Sequence, residues 1–142
     1  SMSARSAISA RQMETWAHGQ EVFDILGVAR EERDRIRNIV VLGINTYGWT
    51  FKVRGETPPA PMPLVELTSP SGALWTYGEP QDGSVIRGEA VEFAQVVTQT
   101  RNIADTHLTV VGECASRWMQ NAQCFAGGAN PPPLQGSRFK TE

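Results

Sequence analysis

Gly55 is followed by Pro58, Pro59, Pro61 and Pro63, and this stretch limits the chain more tightly than any other. Each proline fixes its backbone φ and removes an amide donor, so neither a helix nor a central strand can run through residues 55–63. The 142 residues therefore divide into a helical part before the prolines and a mixed part after them. A chain of this length buries about two-thirds of its unfolded surface around one core. We expect a single α+β domain: a helical hairpin over residues 3–55, a small α+β part over 56–128, and an extended tail over 129–142.

Residues 3–26 are good helix formers, and Gly27 stands where a helix commonly stops. On a helical wheel Ile8, Trp16, Gly19, Val22, Phe23 and Leu26 share one broad side, while Arg11, Glu14, His18 and Glu21 form a narrow polar stripe elsewhere. A second helical pattern follows the charged stretch 30–37 and runs to about Arg54. Its apolar residues Ile36, Val40, Gly43, Tyr47 and Phe51 recur every three or four positions, and Ile39, Leu42, Trp49 and Val53 widen that face. A short loop sets the two helices antiparallel.

Beyond the prolines, residues 64–68 and 73–77 flank Ser69-Pro70-Ser71-Gly72, which has the chemistry of a hairpin turn. Residues 85–87 suit a short third strand. Residues 89–100 carry a helical period through Val91, Ala94 and Val97, residues 107–111 alternate like a strand, and residues 114–125 read as a last helix stopped by Gly127-Gly128. The expected architecture is thus the helical hairpin, a small antiparallel-type sheet and two further helices. The four tryptophans are expected in the core.

Several function classes recede on composition. Thirteen basic residues are interleaved with fifteen acidic ones and the net charge is −2, which gives no electrostatic footprint for nucleic acid. The longest apolar run, residues 39–44, is far short of the roughly 20 residues that span a bilayer. Residues 1–5 lack the apolar core of a secretory signal, so the protein is expected in the cytoplasm, and Ser1 ahead of Met2 has the look of a tag-removal scar. Cys114 and Cys124, ten positions apart in one expected helix, would lie about 15 Å apart along its axis, too far for a disulfide.

Chemistry is concentrated in two places. Glu14 and His18 stand one turn apart on the same helix face, where a carboxylate oxygen and an imidazole nitrogen could share one divalent ion. Taken alone the pair is a weak signal, because many surface helices carry it. Arg11 and Glu21 extend the stripe and are candidates to orient the imidazole. The second place is the polar run 98–106, in which Arg101 could grip a substrate carboxylate with its planar fork; a helix cap followed by a turn is the plainer reading. His107 reads as a strand-edge residue. No Ser-His-Asp order, Gly-rich phosphate loop or paired-cysteine motif is present.

The run Met13-Glu14-Thr15-Trp16-Ala17-His18-Gly19-Gln20-Glu21-Val22 with Leu26-Gly27-Val28 resembles the last bundle helix of the DinB-like superfamily, which includes mycothiol-dependent maleylpyruvate isomerases. Leu42-Gly43, Gly48-Trp49-Thr50-Phe51, Arg54-Gly55, Val65-Glu66-Leu67-Thr68, Trp75-Thr76, Val97-Thr98-Gln99, Ala122-Gln123 and Phe125-Ala126-Gly127 are similar, in order, to a branch labelled as a wyosine base formation domain. The resemblance implies a divalent metal, zinc or another such as nickel, held by Glu14 and His18. It implies thiol-dependent isomerase or transferase chemistry in the full-length family. The three preceding bundle helices and their histidine fall outside this chain. A two-fold homodimer through the helical hairpin would bring both chains' Glu14 and His18 around one ion.

These readings make the chain a divalent-metal-binding, metal-dependent enzyme acting on a small-molecule substrate, hydrolase-type in this form, with no nucleic-acid or membrane partner. The alternative is a non-catalytic dimerisation or substrate-binding domain. The wyosine label is set aside, since the chain has neither a basic surface nor a radical-cluster cysteine motif.

Overall fold

The computed structural model describes residues 36–125, 128–129 and 131–136. The first helix of the expected hairpin, residues 3–26, lies outside them. Among the described residues the fold is α+β: four helices and a four-stranded sheet. No helix among them is long and apolar enough to cross a membrane.

The apolar pattern before the prolines forms helix α1 (Arg37–Asn45) and helix α2 (Tyr47–Lys52). The expected single helix bends between them at Thr46, where φ is −100° and ψ is 14°. Its side chain supplies the cause: the Thr46 hydroxyl lies 2.8 Å from the Leu42 carbonyl and 3.2 Å from that of Gly43, back-bonding of the kind that bends helices. The hydrogen-bond ladder survives, with Thr46 N–H on Leu42 O and Thr50 N–H on Thr46 O. The helix ends as Gly55 announces. Gly55 is left-handed at φ 74°, its N–H reaches Lys52 O, and Glu56 N–H reaches Phe51 O, the paired bonds of a Schellman stop.

After the extended proline segment come strands β1 (Leu64–Thr68) and β2 (Leu74–Tyr77), the expected hairpin. Its turn is pinned by Ser69, whose N–H and carbonyl bond Ala73 O and Gly72 N–H and whose hydroxyl accepts from Ala73 N–H. Strand β3 (Val85–Glu89) then runs parallel to β1, and strand β4 (Thr109–Val111) pairs antiparallel with β3, giving the order β2-β1-β3-β4. The expectation of an antiparallel-type sheet is corrected at its centre. The 78–84 loop carries the chain past the hairpin to the free side of β1, so β3 enters in the direction of β1.

One sheet face builds the core. Val65 and Leu67 of β1 are opposite Ile86 of β3 and Trp75 of β2, and all four are buried. Helix α3 (Ala90–Val97) leaves β3 directly and packs on this face, with α1 against α3 and α2 against helix α4 (Glu113–Asn121). Trp118 of α4 is fully buried among Tyr47 and Phe93, in edge contacts at 4.9 and 5.7 Å between ring centroids. Aromatic groups of this size each remove roughly 150–250 Å² from water and dominate a core this small. Gly43 makes the α1–α3 approach possible, since a Cβ there would stand 2.8 Å from a Val97 methyl. On the opposite sheet face Glu66 and Arg87 are cross-strand partners, joined at 2.6 Å.

Helix α4 is shorter than expected, ending at Asn121 rather than near Phe125. The chain is drawn out of the helix by bonds to other elements: Cys124 N–H donates to Val97 O at 3.1 Å, and Ala122 O accepts from the Gln99 side chain at 3.0 Å. Of the described tryptophans, Trp75 and Trp118 are core residues. Trp49 is not: it is 39% exposed and bonds Phe125 O through its indole nitrogen.

Candidate functional site

A run of buried polar residues marks the end of α3. Thr98, Gln99, Thr100 and Arg101 are all buried, although side chains of these types mostly stay in water. Burial on this scale requires partners, and the turn supplies them. Thr98 Oγ1 donates to Ala94 O at 2.7 Å and lies 3.3 Å from Thr100 Oγ1, while Thr100 N–H and Arg101 N–H both reach Gln95 O.

Gln99 is the pivot of the turn. It has φ 60° and, among the described residues, is the one non-glycine with positive φ, a conformation that costs an ordinary side chain roughly 1–2 kcal/mol. Its N–H reaches Val96 O and Thr100 N–H reaches Gln95 O, the same Schellman stop that Gly55 makes. The side chain holds the strained backbone in place through the bond from Nε2 to Ala122 O. Segment 122–125 is tied down in turn: Gln123 N–H donates to Thr50 Oγ1 at 3.2 Å, and Gln123 Nε2 donates to Phe125 O and Gly128 O. Three parts of the chain thus fix one turn.

Arg101 leaves this turn 8% exposed, and its Nη1 donates to Thr100 O at 3.2 Å. It sits just past the C-terminus of α3, where the partial negative charge of the helix end favours a cation. The single-turn 3₁₀ helix Ile103–Asp105 follows, capped by Asn102 Oδ1 accepting from Ala104 N–H. A guanidinium held in this way is suited to gripping a planar anion.

A second polar grouping joins α2 to α4. The Tyr47 hydroxyl donates to Pro59 O at 2.7 Å, so the Cys114 thiol at 3.0 Å is left to donate to the Tyr47 oxygen. Burial, reinforced by the Cys114 contact, holds Tyr47 well above its ordinary ionisation range, and it stays a neutral hydroxyl. Arg117 pairs with Glu56 and lies over the Phe51 ring at 5.5 Å. Tyr47, Cys114 and Pro59 thus form a neutral clasp, and the Arg117–Glu56 ion pair joins the same two parts of the chain.

Of the residues singled out in the sequence, Arg11, Glu14, His18 and Glu21 lie outside the described residues. Arg101 is described and buried. His107 precedes β4 and is strongly exposed; its backbone N–H donates to Glu92 Oε2 at 2.9 Å, and it reaches neither grouping. Cys114 and Cys124 are both free thiols. Among the described residues, no group of three or more His, Cys, Asp or Glu is placed to hold a metal ion. Sequence reasoning passed over Gln123 and the special role of Gln99; the available signal was four polar residues running straight on from an apolar helix.

This chain is 45% identical over 135 residues to two uncharacterized proteins of Mycobacterium tuberculosis, MT0041 of strain CDC 1551 / Oshkosh and Rv0036c of strain ATCC 25618 / H37Rv. The match takes in 95% of this chain and 51% of each relative, so the chain spans about half the length of the curated relatives it matches. No protein-family model matches the chain, and no solved structure matches it significantly.

Proposed function

We propose that this chain is part of a divalent-metal-dependent enzyme, with zinc or another divalent ion such as nickel bound by Glu14 and His18 and a carboxylate-bearing small molecule held by Arg101. The Arg101 turn carries this reading: a guanidinium fixed past a helix end by a strained, buried residue such as Gln99 is the kind of over-determined geometry that accumulates at binding sites. One imidazole and one carboxylate a helical turn apart suit zinc, and a homodimer through the helical hairpin would double that donor set. A bound ion would supply Lewis-acid polarisation. The reaction is hydrolase-type in this chain, or thiol-dependent isomerase or transferase chemistry in a longer protein of the DinB-like type.

The test is elemental mass spectrometry with light scattering on wild type and His18→Ala, and calorimetric titration of a small dicarboxylate into wild type and Arg101→Lys. About half an equivalent of metal per chain in a dimer, lost in His18→Ala, is expected of a shared four-ligand site. Dicarboxylate affinity should fall about tenfold or more in Arg101→Lys, since lysine cannot make the bidentate contact. Protein that takes up no added zinc refutes the metal reading.

The second reading, a non-catalytic substrate-binding or dimerisation domain, draws on the buried Arg101, whose Nη1 is held by Thr100 O. It keeps the dicarboxylate binding and predicts no metal.

A further inference from the structure

Strand β2 forms one side of the sheet, and among the described residues no strand lies beyond it. The direction of its backbone groups follows from the hairpin. Ser69 N–H donates to Ala73 O at 2.8 Å, so residues 69 and 73 are a hydrogen-bonded pair. Bonded and non-bonded pairs alternate along an antiparallel ladder, which makes Leu67↔Trp75 and Val65↔Tyr77 bonded and leaves Thr68↔Leu74 and Glu66↔Thr76 non-bonded. The bond from Leu64 N–H to Ser84 O fits this alternation, since the even residues of β1 serve β3. The N–H and C=O groups of Leu74 and Thr76 therefore point away from β1, along the outer edge. Sheets commonly blunt such an edge with charge, proline, a bulge or a very short strand. Strand β4, on the other side, is cut to three residues. In β2, by contrast, residues 71–78 carry no charge and no proline, the register against β1 runs unbroken, and Leu74 is 64% exposed.

We propose that this edge takes the same edge of a second copy, antiparallel about a two-fold axis at Trp75. The order of groups along the edge makes it self-complementary. In that register Leu74 of each copy faces Thr76 of the other, so every outward N–H, with its partial positive charge, meets a partially negative C=O. On the core face Trp75 stands beside Trp75 of the second copy, and on the exposed face Leu74 stands beside Thr76, cross-strand neighbours of the kind that stabilise a sheet. Glu79 falls against Ser71 of the second copy, so no like charges oppose each other along the strand pair. One sheet then runs continuously through both copies. A single strand pair is smaller than the roughly 1,000 Å² of a lasting interface, so the pairing is reversible and grows with concentration. It needs neither the metal nor Arg101.

The experiment is hydrogen exchange on the full chain at rising protein concentration, with light scattering alongside. The Leu74 and Thr76 amides should slow by about tenfold once about nine-tenths of the chains are paired, in step with a doubling of mass. The Trp75 amide, bonded within the hairpin, should be protected at every concentration. Thr76→Pro removes an outward N–H and leaves the β1–β2 ladder whole, while Leu74→Lys sets a charge on the edge and keeps the backbone. Each should retain the wild-type circular dichroism and lose the concentration dependence at the remaining edge amides; if Thr76→Pro unfolds, Leu74→Lys decides. Leu74 and Thr76 amides that exchange at one rate from dilute to concentrated solution overturn the proposal. Association that leaves them unprotected also overturns it, because that dimer uses another surface, such as the helical hairpin. A folded Thr76→Pro or Leu74→Lys protein that still pairs as wild type does is equally decisive against it.

Discussion

Replacing Thr50 by valine tests how the Arg101 turn is held. Thr50 and Gln123 are each 1% exposed, and the Thr50 hydroxyl accepts the Gln123 amide at 3.2 Å. Valine keeps the shape and removes the acceptor, leaving a buried N–H without a partner at a cost of about 1–3 kcal/mol. The hydroxyl's other contact, to Thr46 O at 3.3 Å, is expendable, because that carbonyl also accepts from Thr50 N–H. The added methyl returns less than about 1 kcal/mol, so the net loss is about 1–2 kcal/mol. At roughly 3–5 °C per kcal/mol for a domain of this size, the melting temperature should fall by about 3–10 °C. Thr50→Ser is the control, since it keeps the acceptor and loses only a methyl, at about 1 kcal/mol. Calorimetry gives the stability and hydrogen exchange separates the two causes: the Gln123 amide should lose protection in Thr50→Val and keep it in Thr50→Ser. A Thr50→Val protein with wild-type melting and a protected Gln123 amide would refute the claim that this bond anchors segment 122–125.

Gly112→Ala should lower stability by about 3 kcal/mol or more in chemical denaturation, because φ is 92° and a Cβ would meet Gly83 O at 2.3 Å, combining backbone strain with a clash that rigid backbone cannot relieve. Burial pushes the Cys124 thiol from 9.0 up to about 12. Below pH 9 both folded and unfolded chains keep that proton; between 9 and 12 only the unfolded chain releases it, so stability should fall as pH rises through that window, and Cys124→Ala should flatten the fall. At pH 8 the half-buried Cys114 should alkylate before Cys124 in peptide mapping. Removing the Glu66–Arg87 pair by a double alanine substitution should change stability by less than about 1 kcal/mol, since Arg87 is more than half exposed.

Much of the fold was legible where local chemistry decides it. The β1–β2 hairpin followed from alternation around Ser69-Pro70-Ser71-Gly72, and the stop at Gly55 from glycine's freedom to turn left-handed. What escaped was decided by distant parts of the chain. Val85 and Ile86 announce a strand but not its direction, which depends on where the 78–84 loop returns. Residues 114–125 contain no helix breaker, and α4 ends early only because Val97 and Gln99 offer bonds to residues 122–124. Glutamine is not a residue that signals positive φ, so the Gln99 stop was invisible. Arg101 was legible as a cation among polar neighbours, yet its burial was not, because that comes from packing between elements.

The sheet order also sets a sequence of events in folding. Every strand pairing joins segments close together along the chain, so the sheet and α3 can assemble early and at small loop-closure cost. The contacts that clasp α2 to the far end span much more: 67 residues for Tyr47 to Cys114, 73 for Thr50 to Gln123 and 76 for Trp49 to Phe125. These closures should come late, when the assembled sheet and α3 still present an apolar face around Phe93, the neighbour of Trp118 in the finished core. Until α2 and α4 lock over it, that apolar face is the place where two nascent chains would adhere, so the speed of the clasp governs how much protein reaches the native state.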